Sequence, residues 1–459
     1  MKLSKKQLRQ KRSLSLFSTY RRIAQRSNFL KIVDNICWLF FDKILRMGVG
    51  GVVTVWFARY LGPEQFGLYN FTLSLVGLLS PLAMMGLAGI VVREIVKKPL
   101  LTNEFLGTSA VLHLMGGMVA FLAVITTIQV LRPNDSISKT AVAIAGLTLL
   151  FKFCSPIIYW FEAQVQSKYS VVAANSAFLL AAVAKITLIL NEASLLSFLW
   201  IVLAESVFIC VAMLAVYHWS GGRLTKWIFR IGQVRFLLQA SWPLFLSGFA
   251  ALIYMGIDKI MIGLILGDEA VGIYAAAVNV SQIWHFVPTV IIASVFPAIL
   301  RAKERSLELY LQRLQTVFDV LVTLSLSLAI VFTFFTERII ALVYGADYQS
   351  AALVLAIHIW TGIFVAMSVT SYHWMLAEDR QILSLQRASL GALFNVVLNM
   401  SLIPVLGLSG AAIGTMLSYA FAALIFDLLQ TETKPIFFMK LTAMNPVGVF
   451  NRSVRFFSS

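Results

Sequence analysis

Four ionisable residues lie deep inside long apolar runs of the sequence. Lys152 and Glu205 stand near the middle of their runs, and Asp258 and Lys259 are adjacent in a third run. An ionisable group in hydrocarbon is costly unless it has a partner or a ligand, so these residues are the first candidates for a site. A lysine there would hold an anionic group. A carboxylate there would pair with a cation or couple to one.

Three further cations stand nearer the ends of their apolar runs. Arg46, Arg93 and Lys185 could line the same cavity as Lys152 and Lys259, or could extend their charged heads to the membrane surface. Arg93 has a further alternative, because it could simply pair with the neighbouring acid. We treat the five as the predicted cavity cations.

Histidines and prolines inside the apolar runs form a second set of candidates. His113 and His285 could relay protons, although a lone histidine in a membrane more often joins two helices by a hydrogen bond. Pro81 and Pro288 should each kink a helix, because proline removes one backbone hydrogen bond. A gating hinge and a kink needed only for packing explain these prolines equally well.

The cysteine pattern predicts neither a disulfide nor a metal site. Cys37, Cys154 and Cys210 lie far apart, with no CxxC spacing and no Cys/His pattern. The chain also lacks HExxH and DxD motifs and a catalytic Ser/His/Asp arrangement. We therefore expect no metal, no cofactor and no enzyme activity.

The elements that position these residues are membrane-spanning helices. Of the 459 residues, 59% are hydrophobic and 13% charged, against roughly 25% charged in a soluble chain. Each apolar run is long enough to cross a bilayer core of about 30 Å. The predicted helices are 36–60, 67–95, 104–131, 140–161, 170–190, 194–217, 238–265, 270–300, 314–336, 350–376, 383–403 and 409–430.

The basic residues predict the orientation of these helices. With twelve crossings, 28 Lys and Arg fall on one side and four on the other, and the majority side should be cytoplasmic. The net charge of +16 is thereby explained without nucleic acid. The predicted domains are a basic cytoplasmic arm (1–34), a six-helix bundle (35–217), a basic linker (218–236), a second six-helix bundle (237–430) and a cytoplasmic tail (431–459).

One motif occurs twice, at corresponding places. Residues 61–69, LGPEQFGLY, follow the first predicted helix, and residues 266–274, LGDEAVGIY, follow the seventh. Both fit L-G-x-E-x-x-G-[LI]-Y, at an offset of 205 residues. The repeat predicts an all-α polytopic membrane protein with about 12 transmembrane helices, in two parallel six-helix pseudo-repeats around a central cavity.

The first motif and its surroundings resemble a known family. Residues 58–69, ARYLGPEQFGLY, together with FDKILR at 41–46 and GIVVRE at 89–94, are similar to the polysaccharide-unit flippases of the Wzx type. The segment 254–263, YMGIDKIMIG, resembles the matching helix. These flippases belong to the multidrug/oligosaccharidyl-lipid/polysaccharide exporter superfamily. Many relatives carry Arg at Gly256 and Gln at Lys259, so this chain has its cation about one helical turn away.

The resemblance implies a transporter that moves undecaprenyl-diphosphate-linked oligosaccharides across a bacterial inner membrane by alternating access. It implies the lipid-linked sugar and membrane lipids as partners, and possible contact with a polysaccharide polymerase and chain-length machinery. The predicted cations would compensate the diphosphate.

Two alternatives stay open at this point. A cation-coupled multidrug exporter of the same superfamily would need acids in its cavity. Cations inside the helices at least match the acids in number here, and this favours an anionic substrate. A membrane polysaccharide polymerase or ligase would usually carry a large outer loop, which the sequence lacks.

Overall fold

The computed structural model describes residues 5–449 and 452, with side chains at 34, 35, 37–449 and 452. Over this part of the chain every regular element is helical. The basic residues predicted for the N-terminal arm, and the end of the predicted tail at 450, 451 and 453–459, lie outside the described side chains.

The first half of the chain forms seven α-helices. A 3-10 segment at Leu147–Cys154 joins α4 to α5, so these three elements make one crossing. The helices are α1 (Lys5–Met84), α2 (Leu87–Lys97), α3 (Thr102–Leu131), α4 (Ser136–Gly146), α5 (Ser155–Ala163), α6 (Ser167–Leu190) and α7 (Leu195–Trp219).

The second half forms nine α-helices. A π-helical turn at Phe421–Ile425 joins α14 to α15, and α16 follows the last crossing. The helices are α8 (Ile231–Ile265), α9 (Asp268–Ile283), α10 (Phe286–Arg305), α11 (Leu307–Val343), α12 (Ala351–His358), α13 (Thr361–Ala377), α14 (Gln381–Ala420), α15 (Phe426–Leu429) and α16 (Lys434–Ala443).

Two of the helices turn back at a glycine. Gly62 in α1 has φ 71°, and Gly407 in α14 has φ 59°, values that glycine adopts without strain. Ten described segments are long and apolar enough to cross a membrane, and two of them, Cys37–Lys97 and Gln381–Leu429, contain these turns. The ten segments therefore make twelve crossings, as the sequence predicts.

The two sequence motifs lie on the same face of the molecule, which we call the motif face. Their first glycines adopt the same backbone conformation, with φ 71° and ψ 172° at Gly62 and φ 91° and ψ 177° at Gly267. The linker 218–236 lies on the opposite face, which we call the basic face. The matching glycines confirm the pseudo-repeat.

Three groups of buried apolar side chains hold the helices together. One group lies toward the motif face and joins the two halves, with Phe71 of the first half and Tyr274 of the second among its members. The second group includes Phe105, and the third includes Phe318 and Met367. Close packing of this kind is what associates helices in lipid, where the solvent is as apolar as the side chains.

The linker docks against the first half. The Ile228 amide donates to the Asn103 carbonyl at 3.1 Å, and the Arg230 amide donates to Thr108 Oγ1 at 3.1 Å. The Arg230 guanidinium pairs with Glu104 at 3.0 Å. The linker is therefore held at the start of α3. The domain boundaries at 217 and 237 stay predictions.

Candidate functional site

A groove of about 540 Å³ opens between the two halves. Helix α1 supplies most of one wall, while α9 and the end of α11 supply the other. The lining is mainly apolar and includes Met47, Gly48, Gly51, Val52, Val55, Trp56, Arg59, Ile283, Leu342 and Val343. A groove of this composition fits an apolar chain along its walls and an anionic group at its one charged residue.

That charged residue, Arg59, sits at the motif-face end of the groove. Its Nε donates to the Val343 carbonyl at 2.8 Å, and its Nη2 donates to the Leu342 carbonyl. These are terminal carbonyls of α11, which carry the negative end of the helix dipole. Arg59 therefore joins the first half to the second at the groove's edge.

A second link between the halves lies on the motif face. The Arg132 guanidinium binds both carboxylate oxygens of Asp268, at 2.7 and 2.8 Å, and donates to the Gly263 carbonyl at 2.9 Å. It also stacks over the Phe71 ring at 3.9 Å. We call the Arg132–Asp268 pair the motif-face latch.

Tyr348 adds a third link, since its hydroxyl donates to the Ala58 carbonyl at 2.7 Å. Among the described residues outside the linker, every hydrogen bond and ion pair between the two halves lies on the motif face. On the basic side the halves meet through apolar contacts such as Phe40 against Phe286. The described arrangement is therefore closed toward the motif face.

Asp258 lies inside the second half, in a cage of polar side chains. Its carboxylate accepts hydrogen bonds from Tyr274 Oη (2.9 Å), Thr415 Oγ1 (2.7 Å) and Asn399 Nδ2 (2.7 Å). Asn399 also donates to Asn395 at 3.2 Å. No cation pairs with Asp258 among the described ion pairs. We call these five residues the Asp258 cluster.

Lys259 follows Asp258 in α8 and is not among the residues that make hydrogen bonds to the Asp258 carboxylate. Its side chain is half-buried, and no described residue makes a hydrogen bond or ion pair with its ammonium. It interacts electrostatically with His358, which in turn interacts with His285. Ser281 holds the His358 ring at 2.7 Å, and Thr361 lies 3.5 Å from the His285 ring.

Lys152 lines a small cavity of about 90 Å³ in the first half. It belongs to the 3-10 segment before α5, and its ammonium also has no described partner. Nearby, His113 is buried, with Nδ1 2.8 Å from the Ala83 carbonyl and Nε2 3.3 Å from the Tyr159 hydroxyl. His113 thus joins three helices, which is the packing alternative for this residue.

The same cavity is bordered by a disulfide between Cys154 and Cys210. The expectation of no disulfide was therefore wrong. Spacing along the chain could not reveal the pair, because the fold brings α7 against the 3-10 segment and places the two Cα atoms 5.6 Å apart. The bond ties the fourth crossing to the sixth, and Cys37 is free.

The remaining predicted site residues do not converge on the groove. Arg46 pairs with Asp42 at 2.8 Å, and Arg93 pairs with Glu94 at 2.9 Å. Lys185 is half-buried on α6. Glu205 is also half-buried, in a shallow groove between α6 and α7 lined by Ala177, Leu180, Ala181, Ala184, Ile201, Ala204 and Phe208.

Breaks in two helices lie about one turn from the predicted hinge prolines. Helix α1 ends after Pro81, where Met85 and Gly86 adopt positive φ, and α9 ends just before Pro288. Ser80 donates its hydroxyl to the Gly77 carbonyl at 2.7 Å, the carbonyl that Pro81 leaves without an amide donor. The breaks fit a hinge, and the hinge role stays a prediction.

Sequence reasoning missed several polar residues that the fold brings together. Asn395, Asn399 and Thr415 surround Asp258, and Arg387, Asp427 and Lys440 form a buried ion cluster. One signal was present in the sequence. Arg387, Asn395 and Asn399 stand four or eight residues apart, and this spacing puts them on one face of an apolar helix.

The fold is shared with known transporters. An inward-facing multidrug resistance MATE family transporter of the MOP superfamily superposes with a TM-score of 0.68 at 14% identity, covering 89% of this chain and 99% of that one. The lipid II flippase MurJ, in an inward closed conformation, gives a TM-score of 0.67 at 14% identity, covering 92% and 96%.

Sequence comparison identifies the family. A probable low-salt glycan biosynthesis flippase, Agl15 of Haloferax volcanii, is 22% identical over 388 residues, or 83% of this chain and 80% of the relative. The sequence model of the polysaccharide biosynthesis protein family matches residues 32–303, more than half of the chain. The resemblance found in the two motifs is thereby confirmed, and the chain belongs to the polysaccharide biosynthesis protein family.

Proposed function

We propose that the chain flips undecaprenyl-diphosphate-linked oligosaccharide units across a bacterial inner membrane by alternating access. The observation that carries this proposal is the groove between the two halves. Its apolar wall along α1 fits an isoprenoid chain, and outside the linker the polar links between the described parts of the two halves lie on the motif face. Agl15, which aligns with most of the chain, is named as a flippase.

Two half-buried lysines that make no hydrogen bond or ion pair with a described residue support an anionic substrate. Lys259 in the second half and Lys152 in the first are free to hold the diphosphate once the halves enclose it. Arg46 and Arg93 already hold acids, so we assign them a weaker role in substrate binding. Lys185 stays a peripheral candidate.

The Asp258 cluster is proposed to couple the transport cycle to a cation. Carboxylate, amide and hydroxyl oxygens are ligands that suit a proton or a small hard cation such as Na⁺. A carboxylate with no cationic partner among the described ion pairs, held inside a membrane helix, is a functional candidate on physical grounds. His285 and Glu205 are secondary coupling candidates.

The basic face is proposed to lie in the cytoplasm, with both chain termini. This orientation follows from the bias of basic residues between the two faces. A surface-polysaccharide polymerase and chain-length machinery are proposed partners on the motif face.

The test is flipping by the purified protein in proteoliposomes that carry a fluorescent undecaprenyl-diphosphate-linked sugar. Lys259→Met should lower the initial rate by roughly 30-fold or more, because a cation that meets a charged ligand contributes about 2–5 kcal/mol. Lys259→Arg should keep most of the rate. Lys434→Met, at an exposed lysine of α16 that belongs to no candidate site, serves as the control and should stay near wild type.

Other outcomes separate the rivals. An unchanged rate for Lys259→Met at equal reconstitution would remove Lys259 from the site. Wild-type protein that does not move the lipid but expels cationic dyes would establish the multidrug exporter instead. Asp258→Asn should abolish the dependence of flipping on a proton or sodium gradient, and a retained dependence would exclude the Asp258 cluster as the coupling site.

A further inference from the structure

A line of polar residues runs through the second half from the Asp258 cluster toward the basic face. Four residues of α14 share one face, since Arg387, Gly391, Asn395 and Asn399 are spaced by four. All four are buried, and the line they form is about 18 Å long at 1.5 Å per residue. We call it the α14 strip.

Several buried polar atoms along the strip have no protein partner. They are Asn399 Oδ1, Asn395 Nδ2, Tyr254 Oη and Arg387 Nε, and they make up four of the nine such side-chain atoms in the described residues. Buried polar groups almost always find a partner, and water supplies it where protein does not. Because these atoms follow one another along the strip, they indicate a chain of water molecules rather than four unrelated unpaired groups.

Tyr254 bridges the middle of this path. Its ring lies over Gly391, where a Cβ would come within 3.1 Å of Tyr254 Cε2, and its centroid is 4.4 Å from that of Tyr419. It interacts electrostatically with both Arg387 and Asp258. The glycine at 391 therefore leaves room for the ring between the two ends of the strip.

The basic-face end of the strip is closed by an ion cluster. Arg387 Nη2 binds Asp427 Oδ1 at 2.8 Å, and Lys440 of α16 binds the other carboxylate oxygen. Lys440 also donates to the Ala423 carbonyl at 2.6 Å. Lys440 and Asp427 are fully buried, and the Arg387 side chain is 8% exposed. Arg387 and Lys440 thus share one carboxylate, so the cluster carries a net positive charge whenever Lys440 is protonated.

We propose that water follows the α14 strip between the Asp258 cluster and the Arg387–Asp427–Lys440 cluster, and that the latter is a gate that keeps cations from crossing at the basic face. The gate deepens the proposed coupling role of Asp258 and rests on it. An excess positive charge in a low-dielectric setting repels Na⁺ and hydronium strongly. A cation bound at Asp258 is then released only when the transport cycle opens another route.

The first experiment asks whether the strip is wet. Asn395→Cys is made with Cys37→Ser, so that the other two cysteines stay in their disulfide. A small neutral methanethiosulfonate reagent should modify the new cysteine, and a cationic one should react at least about tenfold more slowly. Adding Arg387→Gln should remove that difference. Tyr254→Cys is a second probe if the first variant does not fold.

The second experiment measures leakage through the gate. In proteoliposomes without lipid-linked substrate, ²²Na⁺ uptake and a pH-sensitive dye should show little leak for wild type and at least about a tenfold larger leak for Arg387→Gln or Lys440→Gln. Adding Asp258→Asn to Arg387→Gln should return the leak to background. Arg452→Gln is the matched control, because Arg452 binds Asp319 at 2.8 Å at the same end of the second half but off the strip.

Two results would overturn the gate. One is a cysteine at 395 or 254 that neutral reagent never modifies, since the strip would then be dry. The other is an equal leak in the Arg387→Gln and Arg452→Gln proteins, since the effect would then come from loosened packing. Neither measurement uses flipping. The results for cysteine modification and ion leak can therefore be interpreted even if the flipping test for Lys259 or Asp258 fails.

Discussion

Gly67 and Gly272, which occupy the same position in the two repeats, touch each other backbone to backbone between the two halves. A Cβ on Gly67 would lie 2.8 Å from the Gly272 nitrogen and 1.7 Å from the Asp268 carbonyl oxygen. A Cβ on Gly272 would lie 3.1 Å from the Gly67 nitrogen and 1.9 Å from the Pro63 carbonyl oxygen. The two copies of the motif therefore contact each other, and the pseudo-two-fold axis that relates the halves passes near this contact.

Gly67→Ala or Gly272→Ala should separate the halves at the motif face. The new methyl group would overlap backbone atoms, which cannot rotate away. We therefore expect the free energy of unfolding to fall by about 1–3 kcal/mol or more. Thermal unfolding in detergent should show a lower midpoint for each variant. Gly77→Ala is the control, because its Cβ would meet nothing within 4 Å. Equal midpoints for all three variants would contradict the contact.

Loss of the motif-face latch should open that face. Arg132→Ala removes both bonds to Asp268 and the stacking on Phe71, and leaves a partly buried carboxylate without its cation. Ala58→Cys, made with Cys37→Ser, reports the change, because Ala58 is fully buried at this face. A water-soluble thiol reagent added from the motif face should react at least about tenfold faster in the Arg132→Ala protein.

The control for the latch is Lys139→Ala, in the same loop region. Lys139 is half-buried, and the one described bond of its ammonium goes to the nearby Pro133 carbonyl. It should leave the reactivity at 58 unchanged. A rate at 58 that does not respond to Arg132→Ala would mean that the remaining links hold the face closed without the latch.

The disulfide predicts a thiol count. In protein unfolded in SDS without reductant, a maleimide should label Cys37 alone, and after reduction it should also label Cys154 and Cys210. Replacing both bonded cysteines by Ser should lower the free energy of unfolding by about 2–4 kcal/mol, and the unfolding midpoint should fall with it. Three labelled thiols before reduction would show that the bond does not form.

Stability should rise with pH because of Lys440. Burial, and next the charge of Arg387, lower the pKa of Lys440 below its ordinary value, and Asp427 only partly opposes them. Above the folded pKa the native chain has released this proton while the unfolded chain still binds it, up to the ordinary lysine pKa of about 10.4. The unfolded state then binds more protons, so stability increases with pH across that window and is lost as pH falls through the folded pKa.

The measurement is the unfolding midpoint from pH 7 to 10, compared between wild type and Lys440→Met. As the pH rises, the midpoint of wild type should increase relative to the midpoint of Lys440→Met. Lys434→Met, at an exposed site of the same helix, should give a difference that does not depend on pH. A pH-independent difference for Lys440→Met would show that its pKa is not lowered.

The helices and the repeat could be predicted from the sequence because both depend on local patterns. An apolar run records a membrane crossing by its length alone, and the L-G-x-E-x-x-G-[LI]-Y motif needs no tertiary information to be seen. The turn at Gly62, which separates two crossings within α1, was also predicted, because it falls between the predicted helices 36–60 and 67–95. The turn at Gly407 likewise falls in the break predicted between the helices 383–403 and 409–430.

The partners of charged residues depend on long-range contacts and could not be read from spacing. Asp258 was found, but Thr415 lies 157 positions away and Tyr274 on another helix. Cys154 and Cys210 are 56 positions apart. The roles assigned to Lys259 and Lys152 remain predictions, since neither touches the groove that the two halves form.

The docked linker anchors one end of α8 to the first half of the molecule. The first residue of α8 follows Arg230, which Glu104 and Thr108 hold on the first half, and its last turn leads into Gly267 at the motif contact. A helix of 35 residues spans about 52 Å, so a small rotation at its anchored end becomes a displacement of several ångströms at the other. We therefore expect a tilt of α8 at the docked linker to move the motif contact at the other membrane surface, with Pro243 near the docked end as the one proline inside the helix.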